Sequence, residues 1–215
     1  MHIKIINYSK SIKEAEVLKN INVEFHGNKI YGIVGKNGSG KSVLLKSICG
    51  LANIDTGEIL INNEVLGKDI EFPKDLGAVL DGAGFLPNLS GFKNLKLLAS
   101  IKNKISDEKI KKCMEHLDLN PNDKKMYKSY SMGMKQKLLI AQAIMEDPKI
   151  LILDEIFNGL DDDTVNIVRE LLLKYKSEGR LIIITSHIKE DIDLLCDKIY
   201  KMNNGKMDII SDINI

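Results

Sequence analysis

The chain has 215 residues, of which 44% are hydrophobic and 28% are charged. This balance is typical of a globular protein with a large buried core, and it excludes a disordered or fibrous chain. The 31 basic residues nearly cancel the 30 acidic ones, so the chain lacks the basic surface that a nucleic-acid backbone requires, and we expect no nucleic-acid partner.

The first part of the chain has the pattern of strands around one glycine-rich loop. Ile3 and Ile5 alternate with polar residues, and the β-rich runs VLKNINVEF and KIYGIVG follow, separated by a turn at residues 26–28. After the glycine-rich segment 35–40, SVLLKSICGL has apolar residues at helical spacing. GEILINN and the apolar LGAVLD at 76–81 predict two further strands.

Helical patterns dominate between Gly91 and Asp147, in FKNLKLLASI, DEKIKKCMEHLDL and MKQKLLIAQAIMED. Buried strands return with ILILD at 150–154 and LIIIT at 181–185, which alternate with two more helical segments. Strands that alternate with helices predict a parallel sheet covered on both faces. The tail, KIYKMNNGKMDII, predicts a hairpin that turns at residues 203–205.

The segment GKNGSGKS, residues 35–42, fits the phosphate-loop pattern G-x-x-x-x-G-K-[ST] between a predicted strand and a predicted helix. Its glycines allow backbone N–H groups to surround phosphate oxygens at the positive end of the helix. Lys41 is expected to reach the β- and γ-phosphates, and Ser42 to bind Mg²⁺. The predicted nucleotide contacts are Gly35, Lys36, Asn37, Gly38, Ser39, Gly40, Lys41, Ser42 and Val43.

A second metal ligand is expected at ILILDE, where a buried strand ends in two acidic residues. Ligands of open parallel sheets bind at the carboxyl ends of the strands. Asp154 is therefore predicted to hold Mg²⁺, and Glu155 to orient or deprotonate the attacking water. His187 follows LIIITS at the end of another buried strand, where its imidazole can hydrogen-bond a γ-phosphate.

Five segments in order resemble the motifs of the nucleotide-binding subunit of ATP-binding-cassette (ABC) transporters: GKNGSGKS, YSMGMKQKL, ILILDE, NGLD and the histidine after LIIITS. The similarity implies one ABC ATPase domain over residues 1–215, with a core of about 1–84 and 148–215 and a helical signature subdomain of about 85–147. The implied fold is α/β. It is a P-loop NTPase with a mostly parallel central sheet, an N-terminal antiparallel β-subdomain and an inserted α-helical subdomain.

The resemblance also implies roles for residues beyond the phosphate loop. Ser131 and Gly133 would belong to the signature segment, Asp161 to the D-loop, and His187 would be the switch histidine. Ser131 also precedes the helical run MKQKLLIAQAIM, where its side chain can cap a helix whose N-terminus favours phosphate. The cap and the phosphate contact are compatible with each other.

The family mechanism implies ATP and Mg²⁺ as cofactors, and catalysis of ATP hydrolysis by Lys41, Glu155 and His187. Two ATPase subunits, identical or different, would meet head to tail, with each ATP between one chain's phosphate loop and the other chain's signature helix. ATP would close the dimer and hydrolysis would open it. The work would pass to integral-membrane permease subunits docked near the helical lobe and the segment around Asp81.

Four positions depart from the family pattern. Asp81 stands where a glutamine is usual; a carboxylate there, like YSMGMKQ, is similar to the bacitracin- and lantibiotic-export subgroup, and it could bind Mg²⁺ through oxygen. Val43 replaces a threonine, so the α-phosphate contact must come from the backbone. Ile12 falls about where an aromatic ring stacks on adenine, so either base discrimination is weak or Tyr8 substitutes. Ile156 replaces a proline, with little expected consequence.

We therefore expect the ATPase subunit of an exporter of an antibiotic peptide or similar cargo. The alternative is a non-transport ABC ATPase that acts on ribosomes or DNA, or a regulator switched by ATP. Since no apolar run approaches the roughly 20 residues that cross a bilayer, and MHIKIINYSK lacks the order of a signal peptide, the expected location is cytoplasmic, peripheral on the inner face of the cell membrane. An apolar cluster beside Asp81, FLPNL at 85–89, fits either a permease contact or ordinary packing.

Overall fold

A computed structural model describes residues 1–82 and 84–212 of the chain. The strands are β1 (His2–Ile12), β2 (Ala15–His26), β3 (Lys29–Val34), β4 (Thr56–Ile61), β5 (Glu64–Val65), β6 (Leu76–Val79), β7 (Ile150–Leu153), β8 (Leu181–Thr185), β9 (Lys198–Asn203) and β10 (Lys206–Asp212). The helices are α1 (Lys41–Ile48), α2 (Gly91–Lys102), α3 (Asp107–His116), α4 (Met132–Ile144), α5 (Asp162–Ser177) and α6 (Lys189–Leu195). These elements confirm the secondary structure predicted from the sequence patterns.

The larger sheet has the strand order β10-β9-β3-β8-β7-β6 in the described part of the chain. Strands β3, β6, β7, β8 and β9 are parallel to one another, and β10 pairs antiparallel with β9. Every residue of β7 and β8 is buried, because one face of these strands packs against helices such as α4 and α5 and the other against α1 and strands β1 and β2. Asn204 and Gly205, both with positive φ, form the predicted tail turn. The carboxyl ends of β3, β7 and β8 consequently meet at one edge.

The smaller sheet is antiparallel, with the order β2-β1-β4-β5 among the described residues. Buried and exposed residues alternate along β2, as expected of a sheet with one face in the core. The predicted turn at residues 26–28 does separate β2 from β3, but the two strands lie in different sheets. The chain thus leaves the antiparallel sheet and enters the parallel one directly before the glycine-rich loop.

Helices α2, α3 and α4 lie between β6 and β7 in the chain and pack on one another through apolar side chains such as Leu95, Met114 and Leu138. Serine side chains cap their N-termini: Ser90 on α2, Ser106 on α3 and Ser131 on α4. This arrangement is the inserted helical subdomain of the predicted fold. The proposed limits of the core and of the helical subdomain stay a prediction.

Hydropathy along the helices bears on membrane insertion. Across residues 1–82 and 84–212, the helices are too short or too polar to traverse a bilayer. The longest described helix, α5, has 16 residues and carries charged residues in both its first and last turns.

Candidate functional site

The glycine-rich loop, residues 35–42, connects the end of β3 to the start of α1. Gly38 and Gly40 have φ values of 77° and 108°, a region that favours glycine. A Cβ atom at Gly40 would lie 2.9 Å from Cδ2 of Leu18 and 3.0 Å from the carbonyl oxygen of Val17. No side chain caps α1, so the N–H groups of its first turn are available to an anion.

Lys41 is buried at the base of this loop. Its ammonium group donates hydrogen bonds to the carbonyl oxygens of Gly35 at 2.7 Å and Lys36 at 3.4 Å. The Oγ atom of Ser39 is also buried, with no hydrogen-bond partner. The loop therefore concentrates a cation, free N–H groups and an unpaired hydroxyl, which is the donor set that a phosphate group requires.

Asp154 and Glu155 lie at the carboxyl end of β7, beside the end of β8. Asp154 is only 6% exposed; its Oδ1 accepts a hydrogen bond of 2.6 Å from Thr185 Oγ1, while its buried Oδ2 has no hydrogen-bond partner. Glu155 has a φ of 52°, and its N–H donates to the same Thr185 Oγ1 at 2.9 Å. One hydroxyl thus fixes both acidic residues.

His187 lies two residues beyond the end of β8, and its side chain is about half exposed, at 49%. Its Nε2 atom is 3.0 Å from Oε1 of Glu155. Burial raises the pKa of Glu155 above its ordinary value, while the charges of His187 and Lys41 partly oppose that shift. A carboxylate with a raised pKa is a stronger base, as general-base catalysis requires.

These groups line one cleft of about 610 Å³. The predicted site residues that line it are Asn37, Gly38, Ser39, Gly40, Lys41, Ser42, Val43, Asp81, Asp154, Glu155 and His187. Gly35 and Lys36 are not among the lining residues, and their carbonyl groups accept the hydrogen bonds from Lys41. The structure therefore brings the phosphate loop, the acidic pair and the histidine together.

Three predicted residues, Ser131, Gly133 and Asp161, are not among those that line the cleft. Ser131 Oγ accepts a hydrogen bond of 3.2 Å from the N–H of Met134, which confirms the predicted helix cap. Asp161 caps α5 by accepting from the N–H and the hydroxyl of Thr164 at 2.8 and 2.7 Å. These bonds lower the pKa of Asp161 to about 2. Met132, between Ser131 and Gly133, does line the cleft, so the start of α4 borders it although Ser131 and Gly133 are not among the lining residues.

Comparison with known proteins identifies this architecture. The family described as ABC transporter matches residues 18–158, about two thirds of the chain. The chain belongs to the ABC transporter family. It is therefore an ATP-binding subunit of the ABC type and an ATPase.

Two relatives align with almost the whole of this ABC ATPase. The uncharacterised ABC transporter ATP-binding protein YybJ of Bacillus subtilis (strain 168) is 44% identical over 206 residues, which cover 96% of this chain and 94% of YybJ. The bacitracin transport ATP-binding protein BcrA of Enterococcus faecalis is 35% identical over 211 residues, which cover 97% of this chain and 68% of BcrA.

The fold of this ABC ATPase is also that of a solved cassette. The dimeric structure of MJ0796, described as a bacterial ABC transporter cassette, matches with a TM-score of 0.88, covers 99% of each chain and is 22% identical. At this identity the similarity shows the fold alone. The predicted α/β class, with its antiparallel sheet, mostly parallel sheet and helical subdomain, is confirmed.

Sequence reasoning missed several residues of the site in this ABC ATPase, among them Thr185, Gln136 and Val17. Thr185 reads as the last residue of a buried strand, and only the pairing of β7 with β8 places it beside the acidic pair. Gln136 of α4 lines the cleft and donates to the carbonyl oxygens of Ile156 at 2.9 Å and Glu155 at 3.4 Å. Val17 lines the cleft beside Gly40.

The suggestion that Tyr8 replaces the adenine-stacking aromatic ring is wrong. Tyr8 is fully buried in the core, and its hydroxyl donates a hydrogen bond of 2.8 Å to Ser47 Oγ. The alternation of β1 breaks between Ile5 and Tyr8, where the register with β2 shifts, so the sequence pattern gives no direct indication of its face. Ile12 is exposed at the end of β1.

Proposed function

We propose that this ABC ATPase powers the export of an antibiotic peptide or similar cargo by dimerising around ATP and driving a separate membrane permease. The observation that carries the proposal is the division of the site. The cleft is lined by the phosphate loop, the acidic pair and, from the start of α4, Met132, whereas Ser131 and Gly133 are not among its lining residues. We infer that Ser131 and Gly133 serve the nucleotide of a second chain, and that each nucleotide is enclosed by the phosphate loop of one chain and the signature segment of the other.

The cleft offers oxygen atoms suited to Mg²⁺, which prefers such ligands. Asp154 Oδ2 is buried without a hydrogen-bond partner, and Ser42 and Asp81 line the same cleft. These three residues would hold the ion, and the bound ion would neutralise charge on the phosphates. Thr185 hydrogen-bonds Oδ1 of Asp154, so Oδ2 stays available to the ion.

In this proposal the chain's own residues position the water and stabilise charge. Lys41 would give up its hydrogen bonds to the carbonyl groups of Gly35 and Lys36 and donate to phosphate oxygens instead. Its side chain is long and flexible enough to make this change. Glu155 would orient the attacking water and accept its proton. His187, 3.0 Å from Glu155 Oε1, would hydrogen-bond the γ-phosphate and hold the carboxylate in place.

The segments proposed as the signature segment and the D-loop contact each other within one chain. A Cβ at Gly133 would lie 2.9 Å from the carbonyl oxygen of Gly159. Lys137 Nζ lies 3.5 Å from an Asp161 oxygen. In the dimer, Ser131 and Gly133 of the partner subunit would contact the γ-phosphate of the nucleotide in this cleft. The two subunits, identical or different, would each contribute to both sites.

The class of cargo and the location of the ATPase belong to the same proposal. BcrA is a bacitracin transport protein by name, and we carry that function over to this chain as export of a similar peptide. The permease would dock near the segment 84–89, where Leu86 is 51% exposed while Phe85 packs edge-on against Tyr127 at 5.2 Å. The ATPase would then lie on the inner face of the membrane.

The test uses Glu155→Gln, which keeps the size of the side chain but removes the base. This variant should bind ATP, hydrolyse it about 10²–10⁴-fold more slowly, and elute as a dimer in size-exclusion chromatography only when ATP is present. Glu155→Gln combined with Ser131→Arg, which blocks the interface, is the control and should stay monomeric. A single variant that remains monomeric at saturating ATP, or hydrolyses at the normal rate, contradicts the proposal.

A detergent pull-down separates transport from the alternative function. Recovery of an integral-membrane protein with the Glu155→Gln variant supports a transporter. Recovery of ribosomes without a membrane protein would instead favour the non-transport ATPase.

A further inference from the structure

Two histidines and a glutamate lie together at the end of the β1–β2 pair, and the ATPase cycle described above does not use them. The antiparallel register places His2 opposite His26 and Lys4 opposite Glu24. Residues two apart on a strand share a face, so all four side chains project from the same face of the sheet. His26 and Glu24 are exposed and His2 is partly buried. None of the four lines the nucleotide cleft.

The distances within this His2–Glu24–His26 cluster are short. The Nε2 atoms of His2 and His26 each lie 3.6 Å from the same oxygen, Oε2 of Glu24. One ligand atom from each residue lies within 4.8 Å of the other two. A tetrahedral zinc ion with bonds of about 2.0–2.1 Å has ligand atoms about 3.3 Å apart. Two of the three separations are therefore within a few tenths of an ångström of that geometry.

For both Nε2 lone pairs to point at one ion, at least one of the two imidazole rings must rotate out of its present orientation. They are stacked, with centroids 4.6 Å apart and planes 8° from parallel. The χ2 torsion of histidine is broad, so such a rotation toward Glu24 is accessible, although it breaks the stacking of the two rings. The Nε2 atom of His2 is buried and has no hydrogen-bond partner, so binding an ion there would break no existing hydrogen bond.

The backbone that carries these side chains is held firmly. His2 donates its N–H to Asn62 Oδ1 at 2.9 Å and accepts from the Asn62 N–H at 2.8 Å. The N–H of His26 donates to the Tyr31 hydroxyl at 2.8 Å. A site on two hydrogen-bonded strands is more precise than one on a loop, because ordering the ligands costs less free energy when an ion binds.

The charge of Glu24 also suits a cation. Its Oε1 accepts from Lys4 Nζ at 2.6 Å, which leaves Oε2 facing the two histidines. Lys4 nonetheless competes with an ion for that negative charge.

We infer that His2, Glu24 and His26 form a binding site for a divalent transition metal of the zinc type, on the antiparallel sheet and separate from the ATP cleft. Two imidazoles and one carboxylate select Zn²⁺ and similar ions over Mg²⁺, which prefers oxygen ligands alone. Water would complete the coordination, since the cluster is open to solvent on one side. A bound ion would link the N-terminal end of β1 to the end of β2.

The test is a calorimetric titration of untagged protein with Zn²⁺. It uses a His187→Gln background, so that the imidazole beside Glu155 cannot contribute to binding. This protein should bind one Zn²⁺ with micromolar affinity, and Mg²⁺ should not displace it. Adding His2→Gln or His26→Gln should weaken binding by about tenfold or more, because even loss of an outer-shell partner costs 10–100-fold.

Two further variants separate a metal site from general histidine affinity. His116→Gln removes an exposed histidine on α3 and should leave binding unchanged. Lys4→Gln removes the competing cation and should tighten binding. The inference is overturned if the background protein binds no Zn²⁺ with micromolar affinity, if the His2 and His26 variants bind as well as the background, or if Lys4→Gln weakens binding. Circular dichroism spectra confirm that each variant is folded.

Discussion

Polar groups lack hydrogen-bond partners at the phosphate-loop edge of the large sheet, whereas side chains cap the helices of the helical subdomain, α2–α4, which we call the lobe. At the sheet edge, α1 begins without a side-chain cap, and Asp154 and Ser39 each keep a buried oxygen without a hydrogen-bond partner. In the lobe, α2, α3 and α4 each begin with a serine whose side chain accepts a hydrogen bond from the third residue of the helix. The polar groups without partners therefore cost folding free energy at the edge, and the caps avoid part of this cost in the lobe.

This contrast separates a binding surface from a scaffold. Buried polar groups without partners cost free energy, and native proteins keep them where a ligand supplies the missing contacts. In a capped helix a side chain already supplies one of the missing hydrogen bonds, so the helix is stabilised without a ligand. Substitutions at the edge should accordingly change nucleotide binding and catalysis more than stability, and substitutions in the lobe should do the reverse.

The largest effect should come from Lys41→Ala at the sheet edge. Loss of a charge-assisted contact to phosphate should weaken ATP binding by about 10–100-fold, since such bonds contribute about 1.5–3 kcal/mol. The melting temperature without nucleotide should change by only a few degrees. Calorimetry with Mg-ATP measures the first quantity and thermal unfolding the second. Normal affinity in this variant would refute the assignment of the phosphate loop.

Thr185→Val should produce the next largest effect. The valine keeps the shape of threonine but removes the hydroxyl that bonds Asp154 Oδ1 and the Glu155 N–H. We expect kcat to fall by about tenfold, together with a loss of stability of about 1–3 kcal/mol, because buried groups lose their partner. Thr185→Ser keeps the hydroxyl and should retain most activity. Equal activity of the valine and serine variants would exclude a positioning role for the hydroxyl.

Two serine caps of the lobe provide a matched pair. Ser106→Ala and Ser131→Ala should each reduce the free energy of unfolding by about 1 kcal/mol, seen as a fall in melting temperature of about 2–4 °C. Only Ser131→Ala should also lower the ATPase rate, because Ser131 is proposed to contact the nucleotide of a second subunit. If both variants hydrolyse ATP normally, Ser131 is a helix cap alone.

The smallest expected effect is on the free energy of unfolding, through the charge of Glu155 at the sheet edge. Burial raises the pKa of Glu155 above its ordinary 4.5, so ionised Glu155 destabilises the folded state at pH above both its folded and unfolded pKa values. Glu155→Gln should therefore be more stable than the parent at pH 7.5, by a few tenths of a kcal/mol because the group is partly exposed. The difference should shrink as the pH falls through the folded pKa toward 4.5. Thermal unfolding without nucleotide at several pH values measures it, and a less stable variant at pH 7.5 would contradict the expected sign.

Local sequence patterns were sufficient for most of the fold because each element carries its own signal. The apolar runs of β7 and β8 predict buried strands within one residue of their observed limits. Ser131 before an apolar run predicts a helix cap, and the hydrogen bond to Met134 confirms it. The location of Tyr8 was predicted wrongly from the local pattern, because irregular pairing between β1 and β2 changes the face on which a side chain lies.

The sequence alone was enough to predict the strand–loop–helix unit of the phosphate loop, the acidic pair at a strand end and the family. Each of these features depends on residues a few positions apart in the chain. Only the tertiary structure decided that Thr185 joins both acids, that Gln136 connects α4 to the loop after β7, and that His2 and His26 share one carboxylate. Each of these contacts links strands or helices distant in the chain. Their proximity follows from strand pairing and packing, which no local pattern encodes.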